Sequence, residues 1–262
     1  MLRSANYTVM AAAARKAGRA LVRDFNEVEH LQVSVKGPGN FVSAADKRAE
    51  QIIFNELSKA RPDFGFVMEE SGEVKGKDAS HTFIIDPLDG TTNFLHGIPL
   101  FAVSIGLVKD GVPVAGVIYN PIMDELYAAE RGKGAFFNDR RIRVAARRTL
   151  ADSVITCGIP HQGRGDLARF RREIERMQPE VAGLRRTGAA SIDLAWVASG
   201  RFDGFWERDL SPWDMAAGIV ILQEAGGFVT DLDGGPDMLT KGHIVIANPD
   251  LQPQILKLLK SA

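Results

Sequence analysis

The stretch His81-Thr82-Phe83-Ile84-Ile85-Asp86-Pro87-Leu88-Asp89-Gly90-Thr91-Thr92-Asn93-Phe94 joins an apolar run to two acids spaced three residues apart around a rigid proline. HTFIID has the length and composition of a buried strand, and it delivers a carboxylate at its end. Asp86 and Asp89 would repel each other there unless a cation lay between them. A hard divalent ion coordinated by carboxylate and carbonyl oxygens suits the pair. Gly90 and Thr91 are small, so their backbone N–H groups can approach an anion, and a helix beginning there would add its N-terminal amides. Taken alone, Asp-x-x-Asp is better explained as a turn with a helix N-cap.

Two further segments change that balance. FGFVME (64–69) is a second apolar run that ends in acids, Glu69-Glu70-Ser71, although adjacent glutamates also serve as a solvated turn. Ser211-Pro212-Trp213-Asp214-Met215-Ala216-Ala217-Gly218 opens a strongly apolar helix with an acid in its first turn. An acid in that position also caps the helix and complements its dipole.

Outward from these segments, Val9, Ala13, Ala17, Leu21 and Phe25 recur at helical spacing, which predicts an amphipathic helix over 5–28. Gly37, Pro38, Gly39 and Asn40 mark 33–43 as a loop. Ser43 or Asp46 opens a second helix that turns Ile52, Ile53 and Leu57 inward and stops at Arg61-Pro62. Residues 100–145 are rich in β-branched and aromatic residues and are punctuated at Asp110-Gly111, Asn120-Pro121 and Asn138-Asp139. That pattern predicts an antiparallel meander. Beyond about residue 150, strands (153–157, 181–185, 203–207) alternate with helices (166–178, 188–200, 213–226). Strands near 227–231 and 243–247 and a helix over 249–260 follow. The fold class is α/β (α+β), a layered sandwich. Its two halves, 1–148 with helices and the antiparallel sheet and 149–262 with the α/β pattern, form one compact unit.

Composition narrows the function classes. The chain has 262 residues, 45% hydrophobic and 25% charged, enough for a substantial core, and its formal net charge of −1 argues against nucleic acid or a membrane surface as partner. No apolar stretch is long enough to span a bilayer, since charges at Arg15, Lys16, Arg19 and Arg23 interrupt the N-terminal alanine run. A cytoplasmic protein is the expectation. The single cysteine, Cys157, excludes an intramolecular disulfide and fits a buried strand position better than a nucleophile with His161 as its base.

In their order along the chain, EES (69–71), DPLDGTTNF (86–94) and WDMAAG (213–218) resemble the inositol monophosphatase family. RGKGAFFN (131–138), RRTGAAS (185–191) and EAGG (224–227) extend the resemblance over nearly the whole chain. The resemblance implies an αβαβα sandwich assembled as a homodimer, magnesium as cofactor (two to three ions), lithium sensitivity, and hydrolysis of a small-molecule phosphate ester such as myo-inositol 1-phosphate. Glu69, Asp86 and the Leu88 carbonyl would hold one ion, and Asp86 would bridge to a second held by Asp89 and Asp214. A third would lie near Glu69. The absence of a His or Cys cluster agrees with magnesium over zinc.

By the same resemblance, Thr91 positions a water whose proton passes to Asp46, with Glu70 assisting. Asp46 reads equally well as a first-turn helix acid. Gly90 and Thr91 amides would hold the phosphate beside Asp89 and Asp214, while Glu207 and the Ala190 backbone would contact the polyol. Lys36 could screen phosphate charge, although an exposed lysine is the commoner reason for such a residue. Relatives with similar metal motifs act on histidinol phosphate, fructose 1,6-bisphosphate or a phosphorylated nucleotide. Some bacterial members also bind transcription machinery, for which the Arg-rich stretches 140–148 and 169–173 offer a surface, though solvated charge explains them as well.

Overall fold

The computed structural model describes residues 4–27, 33–37, 40–160 and 165–261; within 33–37 and 40–43 it describes the backbone alone. Helix α1 (Ala5–Phe25) is followed by a hairpin of β1 (Val33–Gly37) and β2 (Asn40–Ser43), then α2 (Ala44–Ala60). Next come β3 (Phe64–Met68), β4 (Gly72–Val74), β5 (Asp78–Asp89), the one-turn helix α3 (Thr91–Leu95), β6 (Ala102–Lys109), β7 (Val112–Asn120), β8 (Glu125–Glu130), β9 (Gly134–Phe137) and β10 (Arg140–Arg141). The remainder runs β11 (Val154–Cys157), α4 (Leu167–Met177), β12 (Gly183–Arg185), α5 (Ala190–Ala198), β13 (Gly204–Glu207), α6 (Pro212–Glu224), β14 (Phe228–Thr230), α7 (Met238–Lys241), β15 (Ile244–Ala247) and α8 (Gln252–Lys260).

Two sheets organise these elements. The larger has eight strands in the order β10-β9-β8-β7-β6-β5-β3-β4, and the smaller has five in the order β12-β11-β13-β15-β14. Strands β5 to β10 form the expected meander. Asp110-Gly111 and Asn138-Asp139 carry positive φ at both residues, the conformation that a two-residue hairpin needs to match strand twist. Helices α1 and α2 cover one face of the large sheet, burying Met10, Ala13, Ala17, Leu21, Ile53 and Leu57 against Phe83, Ile85 and Val103. Helices α5 and α6 lie between the two sheets, and α4 and α8 cover the outer face of the small one. The result is the αβαβα sandwich.

The central layer explains why α6 is apolar on every side: Met215 to Leu222 are all buried, as a helix between two sheets requires. It lies unusually close to the large sheet because Gly106 on β6 and Gly116 on β7 pair across the ladder beneath it. A Cβ on Gly116 would come within 2.3 Å of the Ala217 carbonyl oxygen, and one on Gly106 within 2.7 Å of the Ala216 side chain.

Two expectations are corrected. Residues 33–43 are not a plain loop: their strands pair antiparallel, Val33 opposite Ser43, and only 38–39 in the turn lie outside the described residues. The apolar strand does not end at Asp86 but continues through Pro87 to Asp89, because β6 pairs with it on both sides of an irregularity. The Lys36 side chain and His161 lie outside the described residues.

Candidate active site

Strands β3 and β5 are parallel, with Met68 opposite Ile85, so the next residue on each, Glu69 just past β3 and Asp86 within β5, lie side by side. The Glu69 N–H donates to the Ile85 carbonyl (3.2 Å), which extends the pairing by one step. Strict alternation would put Asp86 and Asp89 on opposite faces of β5. Instead, three steps along β5 (Asp86 to Asp89) oppose two along β6 (Ser104 to Ala102), a bulge whose extra residue returns Asp89 to the face of Asp86. The Leu88 N–H donates to Asp86 Oδ1 (2.9 Å), which closes the turn around Pro87.

Asp214 reaches the same point from the other half of the chain. It is the third residue of α6 and forms a capping box with Ser211, whose N–H donates to Asp214 Oδ2 (2.7 Å). Ser104, opposite Asp86 on β6, donates to the Trp213 carbonyl (3.2 Å) and docks the first turn of α6 on the sheet. Carboxylate oxygens of Asp86, Asp89 and Asp214 lie within 4.8 Å of one another, and those of Asp46, Glu69 and Glu70 form a second such group. Thr91 stands by both: its hydroxyl lies 3.0 Å from the Leu88 carbonyl and 3.4 Å from Asp46 Oδ2, and its single proton can be donated to either. Gly90 takes a left-handed conformation (φ 89°) with Leu100 and Ala189 too near to admit a Cβ comfortably, so only glycine gives this tight a turn into α3.

Each like-charged pair at such a spacing costs about 3–4 kcal/mol at an effective dielectric constant near 20. Burial, then the charges of Glu69, Asp89, Asp214 and Asp46, push the Asp86 carboxyl well above the usual range. Burial also raises Asp89, against two hydrogen bonds to its Oδ2 from the Ser191 N–H (2.6 Å) and hydroxyl (2.5 Å). Oxygen donors alone, buried or half-buried and mutually repelling, fit hard divalent cations: the ions would cancel the repulsion that the fold enforces.

The cleft above these acids is lined by Leu88, Gly90, Thr91, Ala190, Arg186 and Glu207, among others. Glu207 ends β13, and Gly158 follows β11 beside it so closely that a Cβ there would lie 1.8 Å from the Glu207 carboxyl carbon. Burial and the acids Asp193, Asp214 and Asp89 raise the Glu207 carboxyl well above its ordinary value, while Arg186 opposes them. Cys157 also faces the cleft. Burial and the nearby Asp193, Glu207 and Glu173 push its thiol up to about 12, so it stays protonated and is no nucleophile.

The structure thus places Glu69, Asp86, Leu88, Asp89, Gly90, Thr91, Ala190, Glu207 and Asp214 along one cleft, with Asp46 and Glu70 clustered against Glu69, whose charge also acts on Asp86. Sequence reasoning overlooked four supports. Buried Glu50 on α2 accepts from the Glu70 N–H (2.8 Å) and the Ser71 hydroxyl, which anchors the Glu69-Glu70 turn. Asn93 donates to the carbonyls of Leu100 (2.6 Å) and Thr187 (2.9 Å) and ties the DPLDGTTN segment to the start of α5. Ser191 holds Asp89, and buried Asp193, whose carboxyl is raised to about 8, accepts from Thr156 (2.8 Å) under the cleft floor. Asn93 and Ser191 carried a local signal, as residues of the DPLDGTTNF and RRTGAAS motifs, while Glu50 and Asp193 carried none.

Comparison with known proteins agrees with this geometry. The inositol-1-monophosphatase of Mesorhizobium japonicum is 62% identical over 260 residues, covering 99% of this chain and 98% of that one. The crystal structure of the extragenic suppressor protein suhB of Bartonella henselae superposes with a TM-score of 0.97 at 59% identity, covering 99% and 100% of the two chains. The Nus factor SuhB of Pasteurella multocida is 42% identical over 93% of this chain and 91% of its own. Residues 3–262 match the profile of the inositol monophosphatase family, so a match along nearly the whole chain and a sandwich with its acids gathered at one cleft lead to the same assignment: the chain belongs to the inositol monophosphatase family.

Proposed function

We propose that this protein is a magnesium-dependent phosphomonoesterase acting on a small polyol phosphate, with myo-inositol 1-phosphate as the preferred substrate. The observation that carries the reading is the pair of all-oxygen acid clusters, Asp86, Asp89 and Asp214 lining the cleft and Asp46 and Glu70 joined to it through Glu69. Glu69, Asp86, the Leu88 carbonyl, Asp89 and Asp214 would hold two to three Mg2+ ions, which when bound supply an acidified water and neutralise charge on the leaving oxygen.

The chain's own residues supply the rest. The N–H groups of Gly90 and Thr91 hold the phosphate at the turn into α3. The Thr91 hydroxyl, directed at Asp46, orients the attacking water and passes its proton to that buried carboxylate, with Glu70 at its side. Glu207 accepts from polyol hydroxyls, and Ala190 at the start of α5 offers its backbone to the same ring. The protonated Cys157 leaves hydrolysis direct, without a phosphoenzyme on that thiol. The name of the Mesorhizobium relative supports the substrate. The test is phosphate release from myo-inositol 1-phosphate with and without Mg2+. Losing several kcal/mol of transition-state stabilisation means that Asp86→Asn should lose at least about a hundredfold in kcat/KM. Undiminished activity of that variant would defeat the metal assignment.

A second reading, a protein-partner role alongside catalysis, draws on relatives named Nus factor SuhB and on the exposed Arg140, Arg141 and Arg143. A homodimer belongs to the same reading of the family. Binding of transcription proteins that survives in Asp86→Asn and is lost in an Arg140/Arg141/Arg143 triple alanine variant would support it.

A further inference from the structure

Beside the catalytic cleft lies a second cavity, which meets it at Gly158, Ile159, Glu207, Leu210 and Asp214. A leaving group held by Glu207 would have its far side in this cavity. None of the motifs that identify the family lies on α4, yet α4 supplies a buried acid to this wall, Glu173. Glu173 Oε1 accepts from Arg208 Nε (2.8 Å) and lies 2.7 Å from Arg208 Nη2, while Oε2 accepts from Trp206 Nε1 (3.1 Å). Its side chain is 1% exposed and that of Arg208 is 19% exposed, so the pair is a screened, well-made ion pair at the cavity wall.

Arg208 directly follows Glu207, and it spends the Nε edge of its guanidinium on Glu173. A guanidinium has five N–H donors in a planar fork, so donors remain for a ligand. Among the described residues lining this cavity Arg208 is the sole cation, against Asp166, Glu173, Glu207, Asp209 and Asp214. A neutral hydroxyl finds an acceptor in Glu207 and a donor in Arg208. Among the described residues of this wall, a second phosphate would meet five acids and a single cation that Glu173 already neutralises.

We propose that the Glu173–Arg208 pair is the selectivity element for the leaving group. Arg208 donates to polyol hydroxyls beside Glu207, and Glu173 cancels its charge, so the enzyme discriminates against leaving groups that carry a second phosphate. The inference rests on the phosphatase reading above and names the substrate class within it: monophosphates of neutral polyols.

The test is steady-state kinetics of the Mg2+-loaded protein on myo-inositol 1-phosphate and fructose 1,6-bisphosphate. Wild type should favour the monophosphate. Glu173→Gln keeps an acceptor for Trp206 but releases the Arg208 charge, and should shift the ratio of the two kcat/KM values toward the bisphosphate by about tenfold. Arg208→Gln should raise KM for the monophosphate by about tenfold with kcat within about threefold, and Arg208→Lys should recover part of that KM, neither of which a merely structural role would produce. A Glu173→Gln protein with a wild-type melting temperature and a ratio within about twofold of wild type overturns the proposal. If that variant does not fold, the double variant Glu173→Gln/Arg208→Gln, which leaves no unpaired charge, decides. A raised monophosphate KM supports the proposal, and a wild-type KM overturns it. A wild type inactive on both esters would instead remove the phosphatase reading itself.

Discussion

Glu207 and Gly158 compete for the same space, and that competition sets where the polyol-facing carboxylate can sit. An alanine Cβ at 158 would meet the end of the Glu207 side chain, which can swing, and not backbone, which cannot. Gly158→Ala should therefore fold normally while displacing the carboxylate. Losing a charge-assisted hydrogen bond of about 1.5–3 kcal/mol raises KM for the polyol ester by roughly tenfold or more. Kinetics alongside a melting curve check this; an unchanged KM would mean that Glu207 does not contact the leaving group. The sequence made Glu207 legible only by resemblance, and Gly158 was silent, because a glycine's reason for being there is the atom it makes room for. Glu50 was silent for a related cause. It reads as an ordinary helix acid until β3 brings Glu70 and Ser71 against it.

At the scale of elements, the approach of α6 to the large sheet decides whether Asp214 meets Asp86 and Asp89. Gly106 and Gly116 form a flat place in the sheet under Ala216 and Ala217, and the helix rests on it. Gly116→Ala should push α6 outward, costing about 1–3 kcal/mol from overpacking. It should weaken Mg2+ binding as well, since Asp214 rides on the first turn of the same helix. Titration calorimetry with Mg2+ and a denaturation curve measure the two effects; a loss of stability with unchanged Mg2+ affinity would uncouple the helix position from the site. Strand and helix existence was legible from periodicity, down to the hairpin signals at Asp110-Gly111 and Asn138-Asp139. What periodicity did not show was the bulge in β5. The apolar run 81–86 reads as a strand that stops at Asp86, and only pairing with β6 carries it on to Asp89.

For the whole molecule, folding gathers carboxylates that water and distance keep apart in the unfolded chain. Asp86, Asp89, Asp193 and Glu207 are all raised, each with burial as the leading cause. A raised carboxyl binds more protons folded than unfolded, so the metal-free protein loses stability as pH rises through the interval between the two values. For Asp193, which goes from 3.8 to about 8, that interval is roughly pH 4 to 8. Divalent cations need the ionised forms of Asp86 and Asp89, whose carboxyls are raised, so stabilisation by Mg2+ should grow as pH rises. Thermal melting in EDTA and in Mg2+ from pH 5 to 8 should give midpoints that diverge as pH rises; parallel curves would argue against a cation among these acids. The sequence by itself determined most of the longer elements, the layered class and the identity of the acids, because local periodicity and short motifs are written in neighbouring residues. The tertiary structure alone decided that Glu69 groups with Asp46 and Glu70, that a bulge turns Asp89 toward Asp86, and that Glu173 and Arg208 wall the second cavity. Those are contacts between residues distant in the chain, and they exist only once strand register and close helix packing have placed them.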